Sequence, residues 1–199
     1  MLTSHDDSSL VVDRLSYQAR GQNTPVTCFY FDFAARKEQS ATNIFGSLLK
    51  QMVSGMEKIP EEISKAFQKH KKVIGGRRPQ LVDIMKMILV ITSSQPTFIC
   101  IDALDEWVGV QRVRVLDSLK AILEKSPTTR IFVTGRPHTQ AEMEKRFSGR
   151  MISVSIWPTK GDIIGYLRAK LGEDKTPDAM DAMLEEGILE KIPENTSET

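Results

Sequence analysis

The chain has 199 residues, a length that suits one domain or one domain with an appendage. Hydrophobic residues make up 40% and charged residues 27%, and 27 bases against 26 acids leave a formal net charge of +1. This balance excludes charge-driven disorder and any global pull toward nucleic acid or anionic membrane, and two cysteines cannot build a disulfide scaffold. The longest apolar run, residues 87–91, is too short to cross a bilayer. The first seven residues carry acids where a secretory signal needs a basic and then an apolar segment, so the expectation is a soluble, cytoplasmic globular chain.

In chain order, Leu10, Val11 and Leu15 predict a helix over residues 9–20, with Gly21 suited to its end. After Asn23-Thr24-Pro25, the run VTCFYFDF (26–33) is β-branched, aromatic and almost continuously apolar, which predicts a strand covered on both faces. Ile44, Phe45, Leu48, Leu49, Met52, Val53 and Met56 recur at helical spacing over residues 41–56. Pro60 opens the next helix, with Glu61 and Glu62 near its N-terminal dipole and Ile63 and Phe67 along its apolar side. That helix runs into His70, Lys71 and Lys72, and Gly75-Gly76-Arg77-Arg78-Pro79 reads as a loop. Leu81, Ile84, Met85, Ile88 and Leu89 form a second strong stripe that ends near Ser93 and Ser94.

A short apolar strand, TFICID (97–102), ends in an acid. Val113, Leu116, Ile122 and Leu123 mark a helix closed by Ser126-Pro127, and RIFVT (130–134) is another buried strand, followed by Gly135, Arg136 and Pro137. A helix over 140–147, a strand over 151–156 and helices over 162–171 and 177–192 complete the order, with a frayed tail from Pro193. Such alternation predicts an α/β fold, a parallel sheet with helices on both faces, over residues 1–157, and a small helical appendage over 158–199. In such sheets functional groups collect beyond the C-terminal strand ends, here after Phe33, Ile101, Val133 and Ile156.

The acidic strand end carries the chemistry. A carboxylate at Asp102, where the backbone leaves the core, can hold Mg²⁺ directly or through water, and Asp105 and Glu106 could orient a water for attack on a γ-phosphate. Alternatively Asp102 caps the following helix and the other acids are solvated.

The string FICIDALDEW resembles the Walker B segment of NACHT-type signal-transducing (STAND) P-loop NTPases, a hydrophobic strand followed by D, a small residue, a hydrophobic residue and DE. LVVDRL resembles the helix after their phosphate loop, TCFYFDF their second strand, TNIFGSLLKQMV the helix after it, and DIIGYL the entry to their small helical subdomain. RIFVTGRP is similar to their sensor segment, commonly a strand followed by T-S-R, with Gly135 in place of the serine. The resemblance runs from about Leu10 to about Ile192 and is closest to the fungal and nephrocystin-3-like N-terminal NACHT domains that precede repeats. It implies a nucleotide-binding signalling switch of NTPase ancestry, using ATP or GTP with Mg²⁺. Asp102 would lie at the metal, Asp105 and Glu106 around the hydrolytic water, and Arg136 at the γ-phosphate. A surface arginine paired to a neighbouring acid is the alternative for Arg136.

None of the 12 glycines begins a G-x-x-x-x-G-K-[ST] phosphate loop, and Gly75-Gly76-Arg77-Arg78 lies between two helices rather than between a strand and a helix. Measured against the resemblance, the first strand and the phosphate loop would precede Met1, and the chain stops before the winged-helix and repeat regions. This predicts weak or no nucleotide binding by these residues alone. It also predicts self-association through the sheet edge that such a strand would cover. A non-catalytic α/β scaffold or interaction module is the second reading. Cys28 and Cys100 lie in buried strands without a nearby histidine, His5, His70 and His138 have no metal-ligand spacing, and Met85 and Met87 read as core filler. Lys69–Lys72 with Arg77 and Arg78 reads as a solvated basic loop.

Overall fold

Three runs of β-branched and aromatic residues become strands, since such side chains pack well on a pleated surface buried from both sides. β1 (Val26–Phe29), β2 (Thr97–Ile101) and β3 (Thr129–Val133) form a parallel sheet in the order β1-β2-β3. Cys28 lies opposite Cys100, and Ile99 opposite Ile131. The computed structural model describes residues 4–32, 34–35, 39–72, 79–107, 109–173 and 182–196. Around the sheet stand α1 (Ser4–Ala19), α2 (Ala41–Ser54), α3 (Glu61–Lys72), α4 (Leu81–Ser94), α5 (Val110–Lys125) and α6 (Gln140–Arg146). Further along the chain come α7 (Lys160–Gly172) and α8 (Ala182–Thr196).

The period of two along each strand sorts the side chains by face. Thr27, Phe29, Ile99, Ile101, Ile131 and Val133 share the face that packs into the main core with α2, α4 and α5. In that core Ile44, Phe45, Leu48, Met52 and Ile88 have no exposed surface, and each such side chain contributes about 1.5–3 kcal/mol of burial. The other face carries Phe98, Cys100 and Phe132, which line a cavity of about 220 Å³ with Val11 and Leu15 of α1. Helices therefore cover both faces. The outer edge of β1 is closed by a side chain: Cys28 N donates to Gln51 Oε1 at 2.9 Å, and Gln51 Nε2 donates to Cys28 O at 2.8 Å.

Several elements differ from the sequence expectation. β1 stops at Phe29, which pairs with Ile101, the last residue of β2, so the residues after it have no ladder partner; Phe33 lies outside the described residues. α1 starts at Ser4, five residues earlier than expected, and Pro60 caps α3 from just outside, its carbonyl accepting from Ile63 N and Ser64 N. Residues 151–156 form no strand. Their alternation is correct, but they join no ladder, and Ile152, Val154 and Ile156 are 92%, 77% and 75% exposed. α8 runs on through Pro193 to Thr196 where fraying was expected. The expected loop at 75–78 and the start of the last helix, 177–181, lie outside the described residues.

Contacts divide the chain into a unit over residues 4–152 and a second unit from 153 onward. In the second unit α7 packs on α8, and Thr159 opens α7 with a reciprocal cap: Asp162 N donates to Thr159 Oγ1 at 3.2 Å and Thr159 N donates to Asp162 Oδ2 at 2.8 Å. The Thr159 hydroxyl and backbone bonds hold the Asp162 carboxyl below its ordinary range. Among the described residues no helix is long and apolar enough to cross a membrane.

Candidate functional site

Where β2 ends, the backbone makes a tight left-handed step. Asp102 follows Ile101 and is 2% exposed, and Ala103 takes φ 52° and ψ 50°, a conformation rare for a residue with a Cβ. One 3₁₀ turn, Leu104–Glu106, then carries the remaining acids. Trp107 closes the turn, its ring 5.8 Å from Phe29 and 5.7 Å from Phe31. Because β3 is the parallel neighbour of β2, its own end lies alongside, and residues 134–136 meet residues 101–106.

Thr134 makes most of that junction. Its backbone N–H donates to Ile101 O at 3.0 Å, and its carbonyl accepts from Leu104 N at 2.9 Å. Its hydroxyl donates to Asp102 Oδ1 at 2.5 Å and accepts from Ala103 N at 3.0 Å. Two residues on, Arg136 N donates to Asp105 Oδ1 at 3.1 Å and its Nε lies 3.3 Å from Asp105 Oδ2, while Nη2 reaches Glu106 Oε1 at 3.1 Å. The Arg136 side chain is 69% exposed, so this pairing contributes at most about 1 kcal/mol. Asp105 is nonetheless buried to 6% side-chain exposure, and Glu106 to 28%. Gly135 has a local reason: a Cβ there would lie 3.1 Å from Thr139 Oγ1 and 3.5 Å from Asp105 Oδ1.

All four residues singled out from the sequence, Asp102, Asp105, Glu106 and Arg136, thus meet at the C-terminal ends of two adjacent strands. The acids are not a solvated string, and Arg136 is paired to two of them. The hub, Thr134, was missed as a site residue. The signal available was its place as the first residue past a buried strand whose neighbour ends in an acid. Among the described residues no three His, Cys, Asp or Glu side chains form a metal cage. The oxygen-only donors fit Mg²⁺, which takes one or two carboxylates and keeps its waters, better than a soft metal. On the sheet face turned to α1, burial pushes the Cys28 thiol up, and burial with the neighbouring Cys28 pushes Cys100 up to about 12. Both act as small hydrophobes rather than nucleophiles. Tyr30 is pushed up to about 12 by desolvation first and by Cys28 second.

The sequence model of the nephrocystin 3, N-terminal family matches residues 8–136, well over half of the chain. The chain belongs to the nephrocystin 3 N-terminal family. The family match takes in most of α1, all three strands and the acidic turn, and it ends at Arg136. No curated protein and no solved structure matches the chain.

Proposed function

We propose that this member of the nephrocystin 3 N-terminal family supplies the acidic edge of a NACHT-type signalling switch in the cytoplasm, one that takes ATP or GTP with Mg²⁺. The convergence of Asp102, Asp105, Glu106 and Arg136 beyond two parallel strands carries this reading, because ligands of such sheets bind where the strands end. Asp102 would hold Mg²⁺, and the metal, when bound, neutralises phosphate charge. Asp105 spends both oxygens on Arg136 and so aims the guanidinium, whose exposed face can reach phosphate oxygens. Glu106, the more exposed of the two outer acids, accepts a proton from water.

Without a G-x-x-x-x-G-K-[ST] loop among the 199 residues, the chain holds Mg-ATP or Mg-GTP only at about millimolar concentration. Micromolar binding in isothermal titration would overturn that. In a form extended at its N-terminus by a strand and such a loop, Asp102→Ala is expected to weaken Mg²⁺-dependent binding. Glu106→Gln should leave binding intact and slow hydrolysis by about 10²-fold or more if it serves as base. Parental behaviour of both variants would reject the reading. A non-catalytic scaffold is the second reading, and the missing loop motif is the observation that favours it. No nucleotide binding with or without Mg²⁺, even in the extended form, would favour it.

A further inference from the structure

The geometry points to Thr134 as a positioning residue that sets the Asp102 carboxylate through its hydroxyl, an inference that rests on the nucleotide-switch reading. Every polar group of Thr134 is committed to one short segment. Its N–H, carbonyl and hydroxyl engage Ile101, Asp102, Ala103 and Leu104 in succession. The direction of the hydroxyl proton follows from its partners. Ala103 N can only donate, so Oγ1 accepts there, and the single O–H is left for Asp102 Oδ1. A hydroxyl donating to a carboxylate at 2.5 Å is a charge-assisted bond, shorter and stronger than a neutral one.

The same oxygen holds the strained step. Ala103 is the only non-glycine residue with positive φ among the described residues, and such a conformation persists where the surroundings over-determine it. By taking the Ala103 N–H, Thr134 fixes the turn that carries Asp102 out of β2 and, with its other bond, fixes the carboxylate plane. The β-branch of threonine adds a stiff χ1, so the hydroxyl stays aimed at both partners. Thr134 is also two residues from Arg136, so the metal-side acid and the phosphate-side arginine share one rigid junction.

The test compares Thr134→Val, which keeps the shape and loses the hydroxyl, with Thr134→Ser, which keeps the hydroxyl. Amide NMR titrations of the 199-residue chain with ATP are run once with Mg²⁺ and once with EDTA, and the ratio of the two dissociation constants is the readout. Thr134→Val is expected to shrink the Mg²⁺-dependent gain about five- to tenfold, the loss of one charge-assisted bond, without changing binding in EDTA. Thr134→Ser should stay within about twofold of the parent. Should the valine not fold, Thr134→Ala against Thr134→Ser isolates the same hydroxyl. Equal losses with and without Mg²⁺ would make Thr134 a merely structural residue and overturn the inference. A Mg²⁺ gain that Asp102→Ala abolishes but Thr134→Val leaves intact also overturns it, and the switch reading survives. A parent chain with no Mg²⁺ gain overturns the inference for these residues, and the switch reading is then decided by Asp102→Ala and Glu106→Gln in the extended form.

Discussion

Ala103 shows how much a single backbone angle decides here. Its φ of 52° costs about 1–2 kcal/mol relative to a right-handed residue, and it sits 7% exposed beside the core. Glycine would remove that strain. It would lose a buried methyl worth about 0.8 kcal/mol and add freedom to the unfolded chain, so Ala103→Gly should lie within about 1 kcal/mol of the parent. Valine would put a β-branch into a left-handed step with no room to spare, and Ala103→Val should cost about 3 kcal/mol in urea unfolding. A valine variant as stable as the parent would mean that this step is not left-handed. At Cys100 the consequence is a pH dependence. Its unfolded thiol ionises near 9.0, whereas burial and Cys28 push the folded one up to about 12. Above 9.0 the unfolded chain loses a proton that the folded chain keeps, so this stabilisation is complete below 9.0 and is lost as pH rises toward 12. Cys28 is shifted in the same direction. Urea midpoints should fall as pH rises above 9.0, and more steeply in the parent than in Cys100→Ala; equal slopes would refute the assignment.

At the scale of elements, edges and crossovers matter more than helix propensity. The outer edge of β1 would present Cys28 N–H and C=O to solvent or to another chain, and the Gln51 side chain takes both, standing where a further strand would pair. Gln51→Met, close in volume and unable to hydrogen-bond in this way, should cost about 1–3 kcal/mol and speed hydrogen exchange at Cys28 N. Unchanged exchange would show that the edge is closed by something else. The short helix α6 buries none of its residues and is held to α5 by Arg112–Glu142 at 3.0 Å and by Arg146 paired with Asp117. Phe147, 7% exposed, anchors its end. The segment that brings Thr134 and Arg136 to the site is thereby tied down on both sides. None of these ties could be read from the sequence. Periodicity marks which helices and strands exist, but Gln51 falls on an apolar helix as an ordinary polar position, and nothing nearby in the chain announces Cys28 as its partner.

Across the whole molecule, the parallel α/β order was legible because each buried strand is a short apolar run between amphipathic helices, and the acidic strand end was legible because acids interrupt such a run abruptly. The convergence of Arg136 on Asp105 and Glu106 follows from adjacency of β2 and β3, which topology rules favour but a single strand cannot reveal. Residues 151–156 failed for the opposite reason. Ile-Ser-Val-Ser-Ile has the strand period, yet a strand exists only with a partner, and the ladder supplies none. What results is a run without regular secondary structure, with Ile152, Val154 and Ile156 at 92%, 77% and 75% exposure and Trp157 at 67%. Were the run to pair as a strand with another chain, alternation would put the three aliphatic side chains on one side and Ser153 and Ser155 on the other. The chain should therefore associate with itself through this run as concentration rises, giving a mass that climbs in size-exclusion chromatography with light scattering. Lysine at 152, 154 and 156 together should return it to a monomer without lowering the urea midpoint, because these side chains are exposed and charge repels edge pairing. A concentration-independent monomeric parent would reject the association. An associating parent whose triple-lysine variant associates equally would move the contact elsewhere on the molecule.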